Sequence, residues 1–302
     1  MAKRKKKGRF GRAWLALYSS VLLVGLALVL ALLFTRNSLV PPVNHLPPLD
    51  FAPVESQKPE VRPHFTEDKA PADTAPRLII VLDDAGHNLW QLEPFLALPF
   101  PLTIAVLPGL PYTAKAAELI KAAGKEVLLH QPMEALNGLD PGPGSISSSM
   151  DEQQIRQILR ANMAQVPSAV GMNNHMGSLA TSDPFVMNIV LDEAKRAGWY
   201  FLDSLTIGTS VAAELAAAKK TDIWERTVFL DNSPDRDYIV NKMNEGSRVA
   251  EKHGYAIMIG HVWTAELAQT LSELYPQLIE QGFSLSTIAR MLMEKDDADS
   301  GN

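Results

Sequence analysis

Six apolar segments of this chain end in side chains that can bind a cation or exchange a proton. These side chains are Asp83 with Asp84, His130, His175, Asp203, Asp231 and His261. Carboxylates and imidazoles are common zinc ligands, and they also serve as general acids and bases. The chain has no cysteine, so a metal site in it must use these residue types. Chemistry at one site therefore requires a fold that brings these segment ends together.

Residues 77–290 alternate between short β-rich segments and segments with apolar residues at helical spacing. The strand candidates are residues 78–82, 102–107, 126–129, 169–172, 200–202, 227–230 and 256–259, with 283–285 as an eighth. The helix candidates are residues 89–98, 112–123, 151–165, 184–197, 212–218, 235–253 and 265–280. Strands and helices that alternate across short connections indicate parallel pairing.

This alternation predicts an α/β fold, an irregular (β/α) barrel of seven or eight parallel strands. An open doubly wound sheet is the alternative, because the spacing of elements does not show whether a sheet closes. In both folds the C-terminal ends of the strands lie on one side of the sheet. The polar side chains at the segment ends can therefore converge in either case.

The N-terminal region is typical of a single-pass membrane protein. Residues 13–34 carry no charge and are long enough to span about 30 Å of hydrocarbon. The tail of residues 1–12 holds seven positive charges and no acidic residue, which predicts a cytoplasmic N-terminus. We therefore expect an anchor in the inner (cytoplasmic) membrane with the barrel on the extracytoplasmic, periplasmic side. A cleaved signal peptide is the alternative, disfavoured by the length of the apolar segment and its Phe34-Thr35-Arg36 end.

Composition describes the remaining segments and excludes one class of partner. Residues 35–76 contain nine prolines among polar residues, which predicts an extended linker without a core. Residues 291–302 form an acidic tail, and we expect its polar part from residue 294 onwards to be frayed. The net charge is −6 although the first twelve residues are strongly basic, so the rest of the chain is acidic. Such a body is a poor partner for nucleic acid phosphates.

The strand-end residues supply the ligand set of a catalytic metal. Two adjacent carboxylates at positions 83 and 84 repel each other unless a cation or a proton intervenes. One of them with His130 and His175 would offer one carboxylate and two imidazoles, which suits a zinc ion with open positions. His261 would remain for proton transfer. The structural alternatives are a helix-capping aspartate and histidines that only fill a strand end.

Four further residues are candidates for supporting or substrate-binding roles. Asp203 and Asp231 end strands and could orient a histidine ring or bind a substrate hydroxyl, although a helix cap is an equal alternative for both. Asn173 and Asn174 could bind an oxyanion or an amide, although asparagine is also common in turns.

The segments that carry these residues resemble the divergent polysaccharide deacetylase family, a branch of the metal-dependent carbohydrate esterases. The resemblance covers residues 78 to about 288. It rests on VLDD with Gly86, TIAVLP, EVLLHQPM, VGMNNHMGS, YFLDSLTIG, VFLDN and IGH, of which VGMNNHMGS and HQPM are the most specific. The resemblance implies an irregular (β/α) barrel, in agreement with the alternation of strands and helices.

The resemblance also implies a role for each main site residue. Asp83 would be the general base, Asp84, His130 and His175 would hold a divalent metal for which zinc is expected, and His261 would be the general acid. Ordinary deacetylases use a His-x-x-x-His pair, whereas the position four after His130 is Glu134 here. The resemblance therefore implies that His175 replaces the second imidazole.

The chain departs from its relatives near the cleft. Ala85 and His87 stand where relatives tend to have aromatic residues, and Val262-Trp263 follows His261 where proline is usual. The implied substrate is an N-acetylated envelope glycan such as peptidoglycan. Two other hypotheses stay open: a catalytically weak barrel that binds such a glycan or a cell-wall or division protein, and hydrolysis of another amide or ester.

Overall fold

The computed structural model describes residues 75–300. The predicted basic tail, the predicted anchor and the linker up to residue 74 lie outside these residues. Among the helices of residues 75–300, none has both the length and the apolar character needed to cross a membrane.

The core of this region is a sheet of parallel strands, as the sequence predicts. In chain order the strands are β1 Arg77–Ala85, β2 Thr103–Val106, β3 Glu126–Met133, β4 Gly171–Met176, β5 Tyr200–Asp203, β6 Ile223–Glu225, β7 Val228–Phe229, β8 Tyr255–His261 and β9 Ser284–Ser286. Neighbouring strands follow the order β6-β5-β4-β3-β2-β1-β8-β7, and β9 pairs with the N-terminal half of β1. The described sheet thus has nine strands rather than seven or eight, and β6 is the strand that the sequence pattern misses.

Helices connect most of the strands. They are α1 Glu93–Leu96, α2 Thr113–Ala122, α3 Glu152–Gln165, α4 Pro184–Ala197, α5 Ala212–Lys219, α6 Arg236–His253, α7 Ala265–Glu280 and α8 Ile288–Ser300, with a 3₁₀ turn at Ala180–Ser182. Several ends follow from local chemistry. Asp183 caps α4 ahead of its first-turn proline, and Gly198 ends that helix in a left-handed conformation.

The sheet is curled into an incomplete barrel. Strands β5 and β8 are far apart in the strand order, yet Leu202 of β5 and Ile257 of β8 share one interior cluster of apolar side chains. The chain itself crosses between the two edges of the sheet. The Arg226 amide donates to the Asp203 carbonyl of β5, and the Thr227 amide donates to the Ile257 carbonyl of β8. No β6–β7 ladder forms within the described residues, so the edges approach each other without closing.

The two-residue period of the strands decides which side chains face the barrel interior. In β1, Ile79 and Val81 lie in the interior cluster, whereas Leu78, Ile80 and Leu82 lie in the larger cluster between sheet and helices. Continuing the alternation places Asp83 on the interior side at the C-terminal end of β1. In β3 the same alternation leads from the interior residue Leu128 to His130, and in β8 it leads from the interior residue Ile259 to His261. Both histidines therefore lie on the interior side.

Helix α8, Ile288–Ser300, includes residues from 294 onwards that the sequence predicts to be frayed. Ile288 of α8 is fully buried in the interior cluster, and Met291 and Leu292 pack against that cluster. The Ala289 amide also donates to Glu126, the first residue of β3. Because β3 begins at Glu126, α8 covers the N-terminal end of the barrel, opposite the predicted catalytic residues.

Candidate active site

Strand register brings the predicted catalytic residues to one end of the barrel. Asp83 of β1 lies directly beside His261 of β8, and His130 of β3 lies beside Asn173 of β4. His175 follows two residues later in β4, on the same side of that strand. The five side chains therefore project from neighbouring strand ends into one cleft.

Asp84, His130 and His175 place three ligand atoms close together. The Asp84 Oδ1 atom lies 3.3 Å from His130 Nε2 and 3.1 Å from His175 Nδ1. The two ring nitrogens lie 3.1 Å from each other. Among residues 75–300, these three form the one group of histidine and carboxylate residues with the spacing of a metal site.

The shape of this triad fits a small divalent cation. Ligand atoms about 2.0–2.1 Å from a tetrahedral zinc ion lie about 3.3 Å from one another, close to the separations of the three atoms. Asp84 Oδ1 is buried and has no properly directed hydrogen bond within residues 75–300. A cation would satisfy this oxygen and the facing nitrogen lone pairs at once. The donor set therefore fits the predicted metal.

A backbone conformation allows the two adjacent carboxylates to reach the same cleft. Successive residues of a regular strand point to opposite faces, so Asp84 would face away from Asp83. Asp84 instead adopts a left-handed conformation with φ of 68°, which turns its side chain back toward the cleft. Such a conformation is strained for a residue other than glycine, and strain of this kind concentrates at functional sites.

The electrostatics of the triad follow from burial and close charges. Burial alone would raise the pKa of Asp84, but contacts with His130 and His175 hold that pKa well below its usual range. Burial alone would lower the pKa of His130, but Asp83 and Asp84 raise it. Protons and a metal ion therefore compete for the same nitrogen.

Asn173 links the triad to Asp83. Its Oδ1 atom lies 2.8 Å from His130 Nδ1, and its Nδ2 group donates to Asp83 Oδ1 at 2.8 Å. Because the amide oxygen only accepts, His130 must carry its proton on Nδ1, which leaves the Nε2 lone pair directed at the triad. Burial raises the pKa of Asp83, which makes this carboxylate a stronger base than an exposed one.

His261 and Asp231 form a second pair at the same end of the barrel as the triad. Asp231 Oδ1 lies 2.9 Å from His261 Nδ1, while Asp231 Oδ2 accepts from the His261 amide and from Thr264 Oγ1. Burial alone would lower the pKa of His261, but the hydrogen bond and charge of Asp231 raise it to about 9. The imidazole therefore carries a proton at neutral pH.

The family model for "Divergent polysaccharide deacetylase" matches residues 80–292 of the chain, which include every residue of this site. The chain belongs to the divergent polysaccharide deacetylase family. The resemblance inferred from the sequence motifs is thereby confirmed.

Relatives of this deacetylase-family chain occur in Haemophilus influenzae and Escherichia coli. It is 34% identical over 185 residues to an uncharacterized protein of Haemophilus influenzae, covering 61% of this chain and 66% of the relative. It is 37% identical over 187 residues to the uncharacterized protein YibQ of Escherichia coli, covering 62% of this chain and 59% of the relative. The chain thus matches slightly less than two thirds of each relative's length.

A solved structure supports the fold of the deacetylase-family domain. The uncharacterized protein ATU2773 of Agrobacterium tumefaciens superposes with a TM-score of 0.69 at 20% identity, over 74% of this chain and 91% of that structure. At this level of identity the likeness shows a shared fold.

Two other predicted site residues support loops next to the deacetylase-family site. Asn174 accepts from the Ser204 amide and donates to the Met176 carbonyl. Asp203 accepts from the Leu205 amide and from Ser210 Oγ. These contacts order the loop after β5 rather than the triad itself. Roles of Asn174 and Asp203 in substrate binding stay predictions.

Glu134 does not join the triad. Its carboxylate accepts from both the amide and the hydroxyl of Ser148, which fixes the loop between β3 and α3. The replacement of a second histidine at this position by His175 from the neighbouring strand stays a prediction.

Sequence reasoning missed the contacts of Arg226 and Trp263. Arg226 is partly buried, donates to the carbonyls of Ser204 and Leu205, and lies 3.8 Å over the Phe229 ring. Trp263 donates to Asp84 Oδ2 at 3.0 Å and stacks on His261. The arginine between two short strands carries no motif, whereas Trp263 lies two residues after His261, which could have drawn attention to it.

Replacing Asp231 with Asn should lower the pKa of His261 from about 9 toward its ordinary value of 6.5. Wild-type His261 stays protonated until the pH rises through about 9, whereas the variant should lose its proton at a lower pH, although the charges of Asp84 and Asp83 still raise its pKa. Histidine ring NMR titration of metal-free protein measures this directly. Asp235→Asn is the matched control, because Asp235 caps α6 and asparagine caps equally well. A His261 pKa that stays near 9 in Asp231→Asn would show that the pair is not coupled.

Proposed function

We propose that this chain is a metal-dependent hydrolase that removes N-acetyl groups from an envelope glycan such as peptidoglycan. The observation that carries the proposal is the placement of two different groups at one barrel mouth. One is the triad of Asp84, His130 and His175. The other consists of a buried carboxylate, Asp83, and a protonated imidazole, His261, on adjacent strands.

Asp84, His130 and His175 would hold the cation, for which zinc is the expected ion. When bound at such a site, a divalent cation polarises an amide carbonyl and makes a bound water more acidic. Asp83 lies next to this position, since its Oδ2 atom is 3.7 Å from His130 Nε2. Asp83 would accept the proton of the attacking water, and Asn173 would keep its carboxylate in place.

The second proton transfer would fall to His261. When the C–N bond of the tetrahedral intermediate breaks, the departing amine needs a proton, and His261 carries one at neutral pH because Asp231 raises its pKa to about 9. The oxygen of the attacking water thus ends in acetate, and a proton ends on the amine of the free amino sugar. Two titratable groups with different environments divide the base and acid roles, a pattern typical of hydrolytic sites.

The proposed location follows from the N-terminal sequence. An uncharged segment at residues 13–34 behind a basic tail favours a single span with the N-terminus in the cytoplasm. A linker rich in proline would let the barrel reach the glycan outside that membrane. An envelope glycan is therefore the substrate class that this arrangement would meet.

The test is acetyl loss from glycan isolated from cells that express the chain. Mass spectrometry of digested glycan should show fragments lighter by one acetyl group with the wild type, and none with Asp83→Asn at equal expression. Purified full-length protein with added Zn²⁺ should release acetate from the same glycan. Glycan binding without acetate release by the wild type would favour the binding hypothesis instead.

A deletion of residues 13–34 tests the location in the same experiment. The deleted form should stay in the cytoplasm, so cellular glycan should keep its acetyl groups even though the extracted protein remains active. Deacetylated cellular glycan in that strain would contradict the proposed anchor.

A further inference from the structure

Trp263 contacts both halves of the candidate site. Its indole Nε1–H donates to Asp84 Oδ2 at 3.0 Å, and its ring stacks on the His261 imidazole with centroids 4.9 Å apart and planes inclined by 24°. The residue thus joins a proposed metal ligand to the proposed general acid. Within residues 75–300, Trp263 is the one side chain that donates a hydrogen bond to Asp84 Oδ2.

The Asp84 carboxylate needs such a restraint, because its two oxygens have different tasks. Oδ1 faces the two imidazoles, whereas Oδ2 points away from them toward Trp263. The terminal torsion of an aspartate side chain is broad and roughly two-fold, so it does not hold the carboxylate plane by itself. A donor on Oδ2 fixes that plane and keeps Oδ1 aimed at the triad.

The indole is held in turn by its neighbours. His261 lies between the rings of Trp263 and Phe229, whose planes are inclined to the imidazole by 24° and 18°. Arg226 covers the Phe229 ring at 3.8 Å. The stack orients the indole plane and hence the direction of its N–H group. Tryptophan combines a broad flat ring that stacks with an N–H group on that ring that can only donate.

We propose that Trp263 is a positioning residue that holds Asp84 in its ligand orientation and thereby strengthens metal binding. This inference rests on the proposed function, since it assumes a cation at the triad. Partners of metal ligands of this kind typically change metal affinity by about 10–100-fold. Trp263 is half exposed, so water competes for its donor and the lower end of that range is expected.

The test is Zn²⁺ affinity of full-length protein, measured by competition with a chromophoric chelator in mild detergent. Trp263→Phe keeps a stacking ring and removes the N–H donor, so its Zn²⁺ affinity should be about tenfold weaker. The Co²⁺-loaded variant should also show an altered visible absorption spectrum, which reports ligand geometry. The matched control is Trp90→Phe, which removes a 67% exposed indole and should bind Zn²⁺ as the wild type does.

Thermal unfolding of the metal-free proteins separates positioning from a general loss of structure. The unfolding midpoints of wild type and Trp263→Phe should agree, since the replaced indole is half exposed. Equal Zn²⁺ affinity and equal Co²⁺ spectra would overturn the inference while leaving the proposed function intact. A wild type that binds neither ion would instead overturn the proposed function, and the inference with it.

Discussion

Replacing Asp83 with Asn should lower acetate release by about 10²–10⁴-fold, the usual contribution of a general base. The asparagine side chain has the same shape, so contact with Asn173 and the interior position on β1 can be retained. What is lost is the ability to accept a proton. Turnover of an N-acetylated glycan by purified, Zn²⁺-loaded protein measures the effect, and metal content measured alongside should equal that of the wild type.

Asp235→Asn is the matched control for this substitution, because it makes the same chemical change at an exposed helix cap. Its turnover should equal that of the wild type. Retained activity in Asp83→Asn would exclude Asp83 as the base. A loss of metal together with activity would instead assign Asp83 to the ligand set. Measuring metal content and turnover on the same preparations therefore distinguishes these two roles.

The chemistry of the strand ends could be predicted from sequence because it depends on two local regularities. Parallel strands place their C-terminal ends on one side of a sheet, and side chains alternate between its faces. These rules suffice to bring Asp83, His130, His175 and His261 together, as the structure does. Gly260 is also interpretable, because a Cβ there would lie 2.4 Å from Leu267 Cδ2.

The curl of the sheet and its incomplete closure could not be predicted. They depend on where the chain crosses from one end of the strand order to the other. This happens at Arg226 and Thr227, whose amides donate to carbonyls of β5 and β8 respectively. Strand β6 beside this crossing has only three residues, too few for a two-residue period to be recognised. The edge pairing of such short strands is decided by tertiary contacts rather than by local sequence.

The different roles of similar residues also depend on three-dimensional contacts. Asp203 and Asp231 are each the last residue of a Phe-Leu-Asp motif at a strand end. Asp203 nevertheless orders a loop, whereas Asp231 binds His261. The left-handed conformation of Asp84 and the reach of Trp263 are likewise three-dimensional facts. Helix α8 was missed because its apolar residues lie in an acidic sequence and become buried only against the base of the barrel.

Removing one imidazole from the triad should abolish tight metal binding. Structural zinc sites bind with about 10–16 kcal/mol spread over four ligands, so the loss of one ligand should weaken Zn²⁺ affinity by roughly 10²–10³-fold. His175→Gln tests this with little change in volume. At limiting Zn²⁺ the variant should lose acetate release, and excess Zn²⁺ should restore only part of it, because the remaining two ligands hold the ion in a different geometry.

Unfolding measurements provide a test of the same prediction that does not depend on substrate. Metal bound at a hundred times its dissociation constant stabilises the folded state by about 2.7 kcal/mol, which corresponds to about 5–10 °C for a domain of this size. A chelator should therefore lower the unfolding temperature of the wild type by that amount and leave His175→Gln unchanged. His253→Gln, at the end of α6 and remote from the triad along β8, should respond to the chelator as the wild type does. An equal response in wild type and His175→Gln would place any bound metal elsewhere, and the division of roles between the triad and the proton-transfer residues would then fail.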